Sequence, residues 1–575
     1  MSDLGKNNAK QIAGLVEVAQ CSDAHSERDV HRLLDRHGLT LPIPQTTLPI
    51  PDDELKVPVL RLRDWMEFML QYNCFHILVG LRNPHQSREE AILQSFWEKF
   101  KLENETHPVF LMARQNEIQL SRTVPIILHG DEGRGVKRQP FLVMNFHSAL
   151  GRGTNPQARE KKKLGLKGSY LQHNINFRGH TYTQRFLYGC LPKQWYANDR
   201  DSVFSTLLSS AASEADYMCK TGVTDNKTGL TYYAMLIGIS GDWPWLHKSG
   251  RFKRSFNNVQ KRLNVRNPPK GICHLCRGGQ INIPFEQIDS RHPKWLQTLN
   301  EESPFEVANP FSVIPHPVGR LAELWKFDLF HTFHIGVGKH FLGSVLALLS
   351  ELQPAGGIDE RFDLLTTEYI SYCRTHGINA HIKKISKEAI GWPTTSVFPI
   401  GTWHKGDLTT SLMRFVEGRY SNDDFTNNPL LAMAMDAATT INKCMRLLFS
   451  SGYFLDGKVA GVVSGLGLRF LRRYNALAQQ SLQNSRALFA VMPKEHALHH
   501  IFLSMHISAE NDVKYIANPL SMSTQCDEDF VGRPSRLSRR THTGKILVQR
   551  VMQRYLKGAY HQWTKLGYIH RAKRT

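Results

Sequence analysis

Residues 232–250 read YYAMLIGISGDWPWLHKSG. An apolar run of strand length ends there in one carboxylate, Asp242, and a Trp-Pro-Trp cluster follows at once. Apolar on both of its alternating faces, the run reads as a buried strand. A charge at the rim of such a strand needs a purpose, and a pair of cysteines, Cys273 and Cys276, follows in GICHLC. The expectation is that Asp242 binds a metal ion and that the cysteines staple an insertion beside it.

Upstream, TVPIILHG (123–130) and PFLVMNFHSAL (140–150) flank the glycine-containing turn DEGRGVKR, the pattern of a hairpin. QRFLYGCLP (184–192) supplies a third strand, and DSVFSTLLSSAASEADYMCKTG (201–222) has helical spacing closed by glycine. The order β-β-β-α-β is a meander, a crossover helix and a strand able to lie parallel to the first. The predicted class is therefore α/β. Asp131 ends the first strand and Asp242 the fourth, so neighbouring strands bring two carboxylates to one end of a mixed sheet. Like charges that close persist when a hard divalent cation, Mg²⁺ or Mn²⁺, neutralises them. Such ions activate a water or hydroxyl against a phosphodiester. A third acid is expected from a helix beside the sheet. Glu528 in QCDEDF is the candidate, with Asp527 and Asp529 as alternatives. Each acid also has a plainer reading: Asp131 as a turn residue, Asp242 as a helix N-cap, and 527–529 as helix-start charges.

The 575 residues exceed one ordinary core, and 41% hydrophobic with 10% aromatic residues marks a chain that buries real cores. The expected division is a helical N-terminal domain (1–118), a first catalytic part (119–260), a helical insertion (261–510), and a final catalytic helix with a basic helix (511–575). The proline-rich LPIPQTTLPIPDDELKVP reads as a linker within the first of these. No run of about 18 apolar residues suggests a membrane span. No basic-then-apolar leader opens the chain, so a nuclear or otherwise intracellular protein is expected.

The formal charge is +21, and no acid follows Asp529, whereas twelve Lys or Arg do. Among them Arg536, Arg539, Arg540, Arg550 and Arg554, with Lys161, Lys162 and Lys163 from a second cluster, are candidate contacts to a polyanion, most simply DNA. Of nine cysteines only Cys273 and Cys276 stand at ligand spacing, half a zinc site. Asp328, His331 and His334 in KFDLFHTFH share one helix face, and His331 and His334 are the predicted remaining Zn²⁺ ligands. His496, His499 and His500 in PKEHALHH read as structural.

Taken together, HGDEG, GISGDWPWLHKSG, ICHLC, FDLFHTFH and PKEHALHH resemble transposases of the CACTA (En/Spm-like) type, over roughly residues 120–550. The resemblance implies a ribonuclease-H-like fold with a large helical insertion. It implies Asp131, Asp242 and an acidic third member as catalytic Mg²⁺ ligands, and strand cleavage and joining within a homo-oligomer on DNA. The rival readings are a catalytically silent nucleic-acid-binding protein and a zinc-stapled interaction protein.

Overall fold

The computed structural model describes residues 16–17, 20, 26–51, 53–163, 173–197, 201–260, 268–354 and 356–570. The opening MSDLGKNNAKQIAG, on which the reading of a missing leader rests, lies outside them. Its centre is a five-stranded mixed sheet. The strands are β3 (Thr123–Arg134), β4 (Pro140–Ser148), β5 (Phe186–Pro192), β6 (Val223–Thr224) and β7 (Thr231–Gly241), in the order β5-β4-β3-β7-β6. β3 pairs antiparallel with β4 and parallel with β7, while β4 pairs antiparallel with β5. The helix Asp201–Lys220 makes the crossover between β5 and β7. The expected β-β-β-α-β order is therefore present. The two-residue β6, paired antiparallel with β7, adds an edge that the sequence pattern did not announce. β7 is buried without interruption from Ala234 to Gly241, as its unbroken apolar run requires.

The first 118 residues are not purely helical. The proline-rich stretch contains a hairpin, β1 (Thr46–Ile50) with β2 (Asp53–Val59). Its prolines disguised an alternation in which Leu55, Val57 and Val59 are buried, the two-residue period of a strand. This segment joins the sheet's own core: Trp65 Nε1 donates to Leu187 O (3.0 Å) and Trp97 Nε1 to Thr123 O (2.8 Å).

A second hydrophobic core fills the insertion. Around it pack the helices α1 (Gly338–Glu351), α2 (Pro429–Ser450), α3 (Gly457–Gln483) and α4 (Pro493–Glu510). The 22-residue stretch Phe330–Glu351 is the one described helix long and apolar enough to cross a membrane, and 89% of its apolar window is buried inside this layer. The strands β8 (Phe454–Asp456) and β9 (Tyr515–Ala517) then return the chain to the sheet. There α5 (Gln525–Ser538) packs on β3 and β4, and α6 (Leu547–Lys565) buries Val548, Val551, Tyr555 and Trp563 in the first core.

Candidate active site and metal centre

In the parallel ladder Gly130 stands opposite Gly241. The next residue on each strand is an aspartate, so Asp131 and Asp242 emerge side by side at the same sheet end. The two glycines are there for Trp245, whose indole lies against both: a Cβ at either position would overlap the ring, and Gly241 has φ +152°. Asp242 also caps the helix Trp243–Gly250, its Oδ1 accepting from Trp245 N at 2.7 Å. The N-cap reading and the site reading are thus both true of one side chain. Asp131 is not a turn residue. β3 runs on to Arg134, Asp131 pairs with Val143, and its Oδ1 accepts from Glu132 N at 2.6 Å.

The third acid comes from the first turn of α5. Successive residues turn by about 100° on a helix, so the three acids point three ways. Asp527 faces the interior. It accepts from Arg185 Nε and Nη2 (3.1 and 3.2 Å) and from Asn145 Nδ2 (3.1 Å), and Asn145 in turn meets His129 on β3 at 3.3 Å. Burial opposes the Asp527 charge, but Arg185 and then His147 hold its carboxyl far below the usual range. Asp529 points outward to Arg533 at 2.9 Å. Of the three, only Glu528 turns toward the aspartates, near enough for the Asp131 charge to act on its carboxyl. Gly133 makes the approach possible, because a Cβ there would overlap Ser535 of α5.

The resulting electrostatics are those of crowded acids. Burial, then the Asp131 charge, push Glu528 up to about 9 and Asp242 up to about 7. Beside them the chain Phe330–Val337 widens into a π-helical turn, a form frequent at functional sites. It presents His331, whose Nδ1 lies 3.1 Å from the fully buried Asp328 and whose Nε2 lies 3.4 Å from Glu528 Oε1. Burial works against the imidazolium, but Asp328, then Glu528 and Asp242, raise it to about 9. Thr524, at the start of α5, donates from Oγ1 to Asp328 at 3.2 Å. His331 is therefore part of the carboxylate site and not a zinc ligand. His334 is not one either: its Nδ1 faces Leu329 O at 3.4 Å, among Phe330, Phe333 and Phe449.

The cysteines meet two histidines from the PKEHALHH helix, α4. Ligand atoms of Cys273, Cys276, His496 and His500 all lie within 4.8 Å of one another, and all four residues are buried. Cys276 Sγ is 3.4 Å from each of His496 Nε2 and His500 Nε2, Cys273 Sγ is 3.5 Å from His500 Nε2, and the two imidazole nitrogens are 3.1 Å apart. A tetrahedral zinc ion would set S···N and N···N separations of roughly 3.5 and 3.3 Å. The donor set and spacing therefore fit a metal ion such as zinc. Burial opposes ionisation of Cys273, yet hydrogen bonding from Cys276 and the nearby His500 drive its thiol well below the ordinary value; burial and the first thiolate push Cys276 well above. The amides of Leu275 and Gly278 donate to the two sulfurs at 3.4 and 3.3 Å, and Trp295 lies 4.0 Å from the His500 ring. The i, i+4 spacing of His496 and His500 was the available signal, and reading those histidines as merely structural missed it. Among the described residues no other such group closes within 4.8 Å, so the three carboxylates are set more widely than this cluster.

The basic residues divide. Arg550 and Arg554 on α6 are not free cations: both contact Glu27 of the helix Ser26–Arg36, Arg554 Nε at 2.7 Å. Arg539 Nε donates to Arg134 O at 2.8 Å, which pins α5 to the end of β3. Arg536 and Arg540 are exposed on or just past α5, and Lys162 and Lys163 are exposed on the helix Asn155–Lys163, where Lys161 turns inward to Asn174 Oδ1 at 3.2 Å. No protein-family model matches this chain, and no curated protein matches it significantly.

Proposed function

We propose that this chain is a DNA transposase or a transposase-derived enzyme of ribonuclease-H-like architecture, which cuts and joins phosphodiesters with Mg²⁺ or Mn²⁺. One observation carries the reading: the register of Gly130 against Gly241 puts Asp131 and Asp242 together, and an adjoining helix adds Glu528. All donors there are carboxylate oxygens, the kind hard divalent cations prefer, and their mutual repulsion is what a cation relieves. When bound, such ions supply Lewis-acid stabilisation of phosphoryl oxygens and an activated water or 3′-hydroxyl.

The chain's own part is positional. Asp131, Asp242 and Glu528 hold the cations. His331, fixed by Asp328 and Thr524, orients Glu528 toward the aspartates. The Trp245 indole closes one side, and Arg536 and Arg540 on the outer surface are placed to neutralise backbone phosphates. DNA as partner, an oligomeric assembly on it and a nuclear setting belong to the same proposal.

The test is a nicking and strand-transfer assay on DNA flanking the coding region, with Mg²⁺ or Mn²⁺. Asp131→Asn and Asp242→Asn are expected to lose at least about a thousandfold in rate, the scale of removing electrostatic stabilisation from a transition state, while DNA affinity is retained. Undiminished cleavage by either variant would refute the assignment. Wild-type binding without any metal-dependent nicking would instead favour a catalytically silent DNA-binding relative.

A further inference from the structure

Past the Ser148 end of β4, a concavity of about 330 Å³ is lined by Gly80, Arg82, Arg152, Asn174, Arg178 and Gly179. Three arginines converge there. A fourth cation, Lys161, reaches the rim through Asn174, and its ammonium is lowered by burial and by the charge of Arg178. No carboxylate among the described residues forms an ion pair with any of the four. Among the described residues, Arg152 is the one of the three arginines whose side chain has hydrogen-bond partners, Tyr568 Oη at 2.5 Å and Leu81 O at 3.4 Å. Clustered cations without a counter-charge repel one another, so such a group is favoured chiefly by an anion placed among them.

The surrounding backbone is built to hold the cluster in place. Glycines let the chain segments meet closely here: Gly80 (φ +77°) lies on Gly151, Gly151 lies on Asn176, and Gly153 (φ +77°) lies on Gln157, each too closely for a Cβ. The segment bearing Arg178 is tied to the catalytic helix, because Arg185 Nη1 donates to Asn176 O at 2.9 Å while its other nitrogens hold Asp527. Asp131 pairs with Val143, and β4 then runs five residues to Ser148 before Gly151 begins the concavity. At about 3.3 Å per residue that separation is roughly 16 Å or more, several nucleotides along one DNA strand at about 3.4 Å each.

We propose that this concavity is a second phosphate-binding site, which grips the backbone of duplex DNA at a distance from the carboxylates. It rests on the reading that the partner is DNA, but not on catalysis. The experiment follows fluorescence anisotropy of a labelled duplex with full-length protein and no added divalent cation, across a salt series. Each phosphate contact contributes about 0.9 to the slope of log K against log salt. The variant Arg82→Gln/Arg178→Gln, which spares Arg152, is expected to lower that slope by about 2 and the affinity about tenfold, with an unchanged melting temperature. Should the double variant melt early, Arg82→Gln alone, on an exposed side chain, must lower the slope by about 1. An unchanged slope in a folded variant overturns the site while leaving the proposed function standing. A wild-type protein that does not bind duplex overturns both. Inorganic pyrophosphate raising the melting temperature of wild type, with the DNA slope unaltered in the variant, would make this a small-polyphosphate site and equally overturn the proposal.

Discussion

The molecule holds two clusters built from residue types able to ligate metals, and they differ in almost every physical respect. The Cys273–Cys276–His496–His500 cluster is closed: four buried ligands, soft and borderline donors, sulfurs capped by backbone amides and a tryptophan packed over one ring. The Asp131–Asp242–Glu528 group is wider, all oxygen, and bordered by an imidazolium. Closed four-ligand sites of the first kind are structural, whereas a catalytic site keeps room for water and substrate. One joins the irregular 268–329 segment to α4, and the other sits where three elements converge at one end of the sheet. In our proposal the first centre serves stability and the second chemistry, and both halves of that proposal can be broken by experiment.

The largest expected effect is on the closed cluster. Structural zinc contributes on the order of 10 kcal/mol of apparent binding energy at neutral pH, and that energy is folding energy. Purified protein is expected to carry one zinc per chain by elemental analysis. Cys276→Ser, or treatment with 1,10-phenanthroline, is expected to make the 268–510 region protease-sensitive and to depress the melting temperature by on the order of ten degrees or more. A variant or chelated protein that melts together with the zinc-loaded wild type would end the structural role.

A smaller effect separates two adjacent acids. Asp527 and Arg185 form a buried, doubly hydrogen-bonded pair, and removing one partner of such a pair costs about 3–5 kcal/mol. Asp527→Asn is therefore expected to be strongly destabilising in thermal or urea unfolding. Glu528→Gln removes a carboxyl that burial and Asp131 already favour in its neutral form. It is expected to leave stability unchanged or raised and yet abolish metal-dependent cleavage. Reversal of this pattern, with Glu528→Gln unstable and Asp527→Asn merely inactive, would exchange the two roles.

Much of this was legible in the sequence, and what was not has a common cause. Strands β3, β4, β5 and β7 announced themselves through apolar runs bounded by glycine, and the crossover helix through its spacing, because those signals are local. Which of residues 527–529 faces the aspartates was not legible. The rotation of α5 about its axis is set by Gly133 beneath it and by Arg185, 342 positions away in sequence from Asp527. The zinc partners failed for the same reason. His331/His334 and His496/His500 both have helical spacing, and only the packing of α4 against the cysteine loop selects the second pair. Arg550 and Arg554 looked like free cations until the fold brought Glu27 to them. The hairpin β1–β2 was hidden because its prolines mimic a linker.

The smallest effect is also the finest discriminator, since it asks whether the open carboxylate group takes a cation at all. An unfolded carboxyl titrates near 4, whereas Asp242 is raised to about 7 and Glu528 to about 9, by burial and by Asp131. Between those values the native state holds protons that the unfolded chain has shed, so these two groups lose stability as pH rises, up to about 9. His331, raised to about 9 by Asp328 once burial is offset, acts in the same direction from its unfolded value near 6.5 upward. Lys494, lowered to about 8 by burial and Lys339, acts in the opposite direction above that value. A raw melting curve mixes these contributions, but the shift caused by a cation does not. Ligation requires the carboxyls to lose their protons, so the rise in melting temperature on adding Mg²⁺ should be near zero at pH 6, grow through pH 7 and be largest near pH 9, on the order of 2–4 °C. In Glu528→Gln that growth should be much reduced. A Mg²⁺ shift that is flat with pH, or equal in the variant, would mean that the three acids crowd together without serving as a cation site.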